Sequence, residues 1–146
     1  MLKNQIKIMK IDIEELMVGD WVMIHEYPMI KEPRKVVKEH FVRSLCEFEA
    51  IPITKEFLLK NGFEFFPTDK NIFGIYTLKT EHCLLKYSNK HGDITIFKAR
   101  TGGVVDNSGN CISGCYGISH GRFDIDYVHE LQHIFRLCKI EHDFIL

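Results

Sequence analysis

The sequence predicts an α+β fold: a strongly bent antiparallel sheet or small SH3-like barrel, with one short helix and a C-terminal amphipathic helix. Three observations point there. Residues 72–105 carry short β-branched and aromatic runs separated by polar turns, the pattern of a meander. Residues 54–62 carry a helix start signal and a helix stop signal. Residues 127–139 repeat apolar side chains at helical spacing.

The 146 residues contain four prolines and no Ser/Gly-rich tract, charge block or internal repeat, so residues 1–146 read as a single domain. With 45% hydrophobic and 12% aromatic residues, the chain can build a core without metal or disulfide. Its 19 basic and 20 acidic side chains nearly cancel. That balance supplies no long-range pull toward nucleic acid or an anionic membrane. The five cysteines, at 46, 83, 111, 115 and 138, are odd in number and suit a reducing compartment. Residues 1–10 lack the apolar run of a signal peptide, and no stretch approaches the roughly 20 apolar residues of a membrane span. The expected location is the cytoplasm.

Along the chain, Asp12 is placed to cap a helical turn through Glu14, Glu15 and Leu16. Gly19-Asp20 is a turn signal, and the Trp21–Ile24 run after it reads as a buried strand. Residues 25–34, with Pro28 and Pro33, read as a loop. Residues 35–50 fit a helical face through Val37, Phe41, Leu45 and Phe48, or a strand pair; strands are the preferred reading. Thr54 can cap a short helix over 55–60, with Phe57 and Leu58 facing the core, and Gly62 can close it in a left-handed conformation. Strands are expected at 72–78, 83–87 and 94–98, a turn at 106–110, and one further strand over 115–118. Asp126 is placed to cap the long helix, on which Tyr127, Val128, Leu131, Ile134, Phe135 and Cys138 share a stripe about 120° wide.

Two zinc patterns overlap in this region. Cys111-x3-Cys115 followed, after thirteen residues, by His129-x3-His133 has the spacing of a two-Cys, two-His finger. His129-Glu130-Leu131-Gln132-His133 is also an H-E-x-x-H sequence, in which two histidines one turn apart hold zinc and the glutamate acts as general base. The helical wheel argues against both. His129, His133 and Arg136 fall opposite the apolar stripe, so the predominant reading is a solvated face. No third ligand has motif spacing downstream, although His120 upstream is available. No cofactor is therefore expected, with His129, His133, Cys111, Cys115 and His120 as the alternative metal ligands and Glu130 as the alternative catalytic base.

The remaining motifs are sparse. Lys31, Arg34, Lys35, Lys38 and Arg43 lie among Tyr27 and Phe41, which could follow a phosphate backbone, but Glu32, Glu39 and Glu47 interrupt them. Cys111 and Cys115 lack the C-x-x-C spacing of thioredoxin chemistry. Thr101-Gly102-Gly103 is not followed by the Lys-Ser/Thr of a phosphate loop.

Three segments together resemble a family of small uncharacterised proteins of gut Bacteroidetes and their phages and mobile elements. They are Leu16-Met17-Val18-Gly19-Asp20-Trp21-Val22, the run from Ile51-Pro52-Ile53-Thr54 to Asn61-Gly62-Phe63, and Tyr127-Val128-His129-Glu130-Leu131-Gln132. The resemblance implies no assigned activity. This chain departs from that pattern in having His133 where the family has Asn, Lys139-Ile140 where it has Thr-Gly, and a Cys-x3-Cys. The leading function class is thus a non-enzymatic binding or accessory protein of phage or mobile-element origin that contacts another protein. A zinc-dependent hydrolase and a nucleic-acid-binding module are the alternatives.

Overall fold

A computed structural model describes residues 9–26, 31–41, 46–67, 74–80, 83–98, 104–105, 107, 111–113 and 118–146. They form two compact units. One is drawn from the chain up to Ile53 together with Tyr127–Glu141; the other from Thr54–Asp126 with His142–Leu146. The fold class is α+β, with antiparallel sheets and few helices.

The first unit holds a four-stranded sheet in the order β1-β4-β2-β3, formed by β1 (Lys10–Ile11), β2 (Trp21–Glu26), β3 (Glu32–Lys35) and β4 (Cys46–Glu49). Ile11, Val22, Ile24, Val36 and Phe48 form its core with Leu16 and Ala50. The strand predicted after Gly19-Asp20 is β2. The loop predicted at 25–34 is corrected in part, because His25 and Glu26 continue β2 and Glu32 to Arg34 pair with it as β3. Pro33 is tolerated because β3 is an edge strand, where a missing N–H need not break a ladder. Of residues 35–50, those described hold the end of β3 at Lys35, a 3₁₀ turn (Lys38–Phe41) and β4. The preferred strand reading thus holds at the two ends but not over 38–41, and Leu45 lies outside the described residues. Ile13–Glu15 form the expected turn, but Asp12 makes no side-chain cap bond.

The second unit holds a five-stranded sheet, order β11-β8-β7-β6-β5, and a hairpin of β9 (Val104–Val105) with β10 (Cys111–Ser113). Its strands are β5 (Glu64–Pro67), β6 (Gly74–Lys79), β7 (Cys83–Ser88), β8 (Asp93–Lys98) and β11 (Ile118–Asp124). The meander is present as expected. Ile72, Phe73 and the stretch 114–117 fall outside the described residues, as does most of the turn at 106–110. Strand β5 has no counterpart in the sequence reading. Its Phe65 pairs with Tyr76, which pairs with Tyr87, giving ring centroids 4.9 and 6.4 Å apart in successive cross-strand contacts. Both large sheets are open among the described residues, so the barrel alternative is not realised.

Helix α1 (Lys55–Lys60) follows its signals. Thr54 Oγ1 accepts from the Phe57 N–H at 3.2 Å, Phe57 and Leu58 are buried, and Gly62 takes a φ of +88° just beyond the end. Helix α2 (Val128–Leu137), in the first unit, differs at both ends. Its N-cap is Tyr127, not Asp126. Its end is closed by Lys139 at φ 57° with Ile140 N–H donating to Phe135 O at 2.8 Å. That closing bond normally accompanies glycine in the left-handed position.

Candidate functional site

The turn Met17–Asp20 delivers the chain into β2. Asp20 N–H donates to Met17 O at 3.1 Å, and Gly19 N–H donates to Val36 O at 2.8 Å. Gly19 has a φ of +93°, and a side chain there would be strained besides meeting Arg136 Nη2 at 3.4 Å. The geometry leaves the Asp20 carboxylate with no solvent exposure.

Helix α2 supplies the donors that burial demands. His133 Nε2 lies 2.6 Å from Asp20 Oδ2, and Arg136 Nη1 donates to Asp20 Oδ1 at 2.5 Å. Met17 N–H donates to Oδ2 at 2.8 Å. Gln132 spans the next residues: Trp21 N–H donates to its Oε1 at 2.7 Å, and its Nε2 donates to Gly19 O at 3.0 Å. Arg136 Nη2 adds a longer bond to Val18 O at 3.4 Å. Burial alone would push the Asp20 carboxyl up, yet the bonds from His133, Met17 and Arg136 together hold it below its ordinary value.

The solvated-face reading of α2 is therefore corrected. His129 and Gln132 are buried, and His133 and Arg136 have only about a third of their side chains exposed. The buried arc of the helix is turned toward Gln132 and His129. Leu131 and Phe135 are buried as the stripe requires, but Ile134 and Cys138 are only half-buried and Leu137 is 71% exposed. The wheel counts hydrophobicity along one helix and has no knowledge of a carboxylate 113 residues away. Gln132 was missed for the same reason. The available signal was a run of four hydrogen-bonding side chains on one side of the helix, at 129, 132, 133 and 136.

The zinc patterns meet specific obstacles. Glu130 accepts the Tyr127 N–H at 3.1 Å, half of a capping box, so the would-be general base holds the start of its own helix. His133 would have to exchange Asp20 for a metal. The His129 and His133 rings are edge to face, 5.7 Å apart. His129 Nδ1 is buried without a hydrogen-bond partner among the described residues. Burial pushes the His129 ring below its ordinary value, with Glu130 acting in the opposite direction. Cys111 and His120 belong to β10 and β11 in the second unit, and Cys115 lies outside the described residues. Among the described residues no three His, Cys, Asp or Glu side chains gather as a metal would need.

Two members of the basic stretch are paired with acidic neighbours. Lys31 Nζ bonds Glu49 at 2.5 Å, and Arg34 reaches Glu26 at 3.3 Å and Glu32 at 3.7 Å. Lys35 lies over the Trp21 ring, 5.4 Å from its centroid. Tyr27 and Arg43 lie outside the described residues. In the same unit a cavity of about 330 Å³ borders β1 and β4, its lining including Ile11, Cys46 and Glu47 but no member of the Asp20 cluster. No described helix is long and apolar enough to cross a membrane. Comparison of the chain with family models, curated proteins and solved structures found no match.

Proposed function

We propose that this chain is a non-enzymatic binding protein that contacts another protein through the apolar tip of the Met17–Asp20 turn. The role is that of an accessory protein of phage or mobile-element origin, in the reducing cytoplasm that the odd number of cysteines suits. One contrast carries the reading. The polar groups of this turn are bonded to α2, whereas the Met17 and Val18 side chains are 48% and 50% exposed. Val37 and Phe41 are also exposed, and the Gly19-to-Val36 bond ties their segment to the same turn. Binding surfaces concentrate on loops that a rigid element holds still, and grouped apolar exposure marks contact sites.

The alternatives have less support. Hydrolysis by the H-E-x-x-H route needs Glu130 and His133 released from their present bonds. Nucleic-acid binding needs cations not already matched by carboxylates, and Lys31 and Arg34 are matched.

The test is a photo-cross-linking residue placed at Val18 in the native cell, with Lys90 as the control position. A discrete protein adduct from position 18, absent from position 90 and abolished by Val37→Asp, is expected. No adduct from position 18, or equal labelling from both positions, contradicts the proposal.

A further inference from the structure

A peptide-like arrangement occupies the second unit. Residues 142–146 belong to that unit, although α2 before them belongs to the first, and they form neither helix nor strand. Phe144 is 5% exposed and stacks on Phe57 of α1, with centroids 5.9 Å apart and planes 16° apart. His142 meets the Phe144 ring at 4.5 Å.

The main chain beside it is held by Asn61, itself 4% exposed. Asn61 Nδ2 donates to Ile145 O at 2.6 Å, and Asn61 Oδ1 accepts the Ile145 N–H at 2.8 Å. The same Nδ2 donates to Phe57 O at 2.9 Å, which fixes the amide on α1. Lys60 Nζ donates to Leu146 O. A carboxamide offers one donor edge and one acceptor edge, so it pairs with both main-chain groups of one residue as a neighbouring strand would. The Ile145 side chain is 53% exposed and takes no part.

Such a site selects one aromatic side chain and then the backbone of the next residue. That division, with pockets for specificity and main-chain bonds for affinity, is how proteins bind extended peptides. We propose that Phe57, Lys60 and Asn61 form a binding site for an extended segment of a partner protein carrying phenylalanine followed by aliphatic residues. Residues 142–146 occupy that site as a tethered competitor, and the partner segment binds by displacing them. This site is independent of the Met17–Asp20 turn.

Tethering sets the expected numbers. A segment attached by a short connection competes at an effective concentration on the order of millimolar, so a free peptide binds the intact chain poorly. The probe is a fluorescein-labelled peptide, Glu-His-Asp-Phe-Ile-Leu, titrated by anisotropy against the full chain and its Phe144→Ala variant. The variant should bind at least roughly tenfold more tightly, because its own competitor is weakened. A peptide with alanine in place of phenylalanine, or with an N-methyl group on the isoleucine nitrogen, should lose binding. Hydrogen exchange of the unaltered chain supplies a second readout that needs no variant: excess peptide should accelerate exchange at the Ile145 amide. A folded Phe144→Ala chain that binds no better than the intact one overturns the proposal. So does an Ile145 amide whose exchange excess peptide leaves unchanged.

Discussion

Asp20 Oδ2 lies 2.6 Å from His133 Nε2 across 113 residues of sequence, and Asp20 has no exposed surface. A carboxylate stripped of water stays charged only where donors replace that water. Here Met17, His133 and Arg136 do so, and α2 thereby clasps the turn that opens β2.

Removing the carboxylate should be costly. Breaking a buried ion pair costs roughly 3–5 kcal/mol, but His133 and Arg136 are each about a third exposed and recover some hydration. Asp20→Ala is expected to lose about 2–3 kcal/mol in urea unfolding, allowing for that recovery. His133→Asn, which a solvated face would tolerate silently, is expected to cost about 1 kcal/mol.

Acid should weaken the fold in two steps. The His129 ring sits below its ordinary 6.5 because burial disfavours its charged form, an effect that Glu130 partly offsets and nearby His133 reinforces, with Asp20 and Glu15 opposing it. As pH falls below 6.5 the unfolded chain takes up a proton that the folded chain resists, so stability declines from its full value above that pH. Asp20 adds a second loss. Burial raises its pKa, but the bonds it receives lower it more, so the stability it contributes is present above 3.8 and disappears as pH falls through its depressed folded value. In thermal melts over this range, His129→Phe should shrink the first decline, leaving the part contributed by His142, whose ring burial also holds below its ordinary value, and keep the second.

Two substitutions, one on α2 and one just beyond its end, should move stability in opposite directions. Leu131 is fully buried, and Leu131→Ala is expected to cost about 2–5 kcal/mol. Lys139 holds φ 57°, a conformation glycine enters without steric cost, so Lys139→Gly should stabilise by about 0.5–1 kcal/mol. Urea midpoints check both.

Metal removal should have no effect. With Glu130 and His133 committed to Tyr127 and Asp20, protein purified without added metal is expected to contain far less than one zinc per chain. A chelator should leave its melting curve unchanged, because only a structural zinc would make binding energy part of folding energy. A fall in melting temperature on chelation contradicts this.

Local signals were legible and distant partners were not. Thr54 and Gly62 mark α1 because a cap oxygen and a left-handed glycine act within a few residues. Gly19-Asp20 marks β2 in the same way. Pro33 concealed β3, since its strand status depends on lying at a sheet edge. Phe65 lies in an aromatic run that suits a strand, but the run does not reveal its partner Tyr76. The α2 wheel located Leu131 and Phe135 but misjudged His129, His133 and Arg136, and Gln132 was passed over. For Gln132, His133 and Arg136 burial is decided by partners, and those partners lie in a turn near the other end of the sequence.

The central claim is that α2 is bound to the Met17–Asp20 turn through Asp20. A double-mutant cycle between Asp20→Ala and Arg136→Met, read by urea unfolding, measures it most directly because the cycle isolates the pairwise contribution. A clasp predicts a coupling of about 1–3 kcal/mol, within the range for residues sharing a hydrogen-bonded network. Additive losses, with coupling below about 0.3 kcal/mol, would show that the two side chains do not act together.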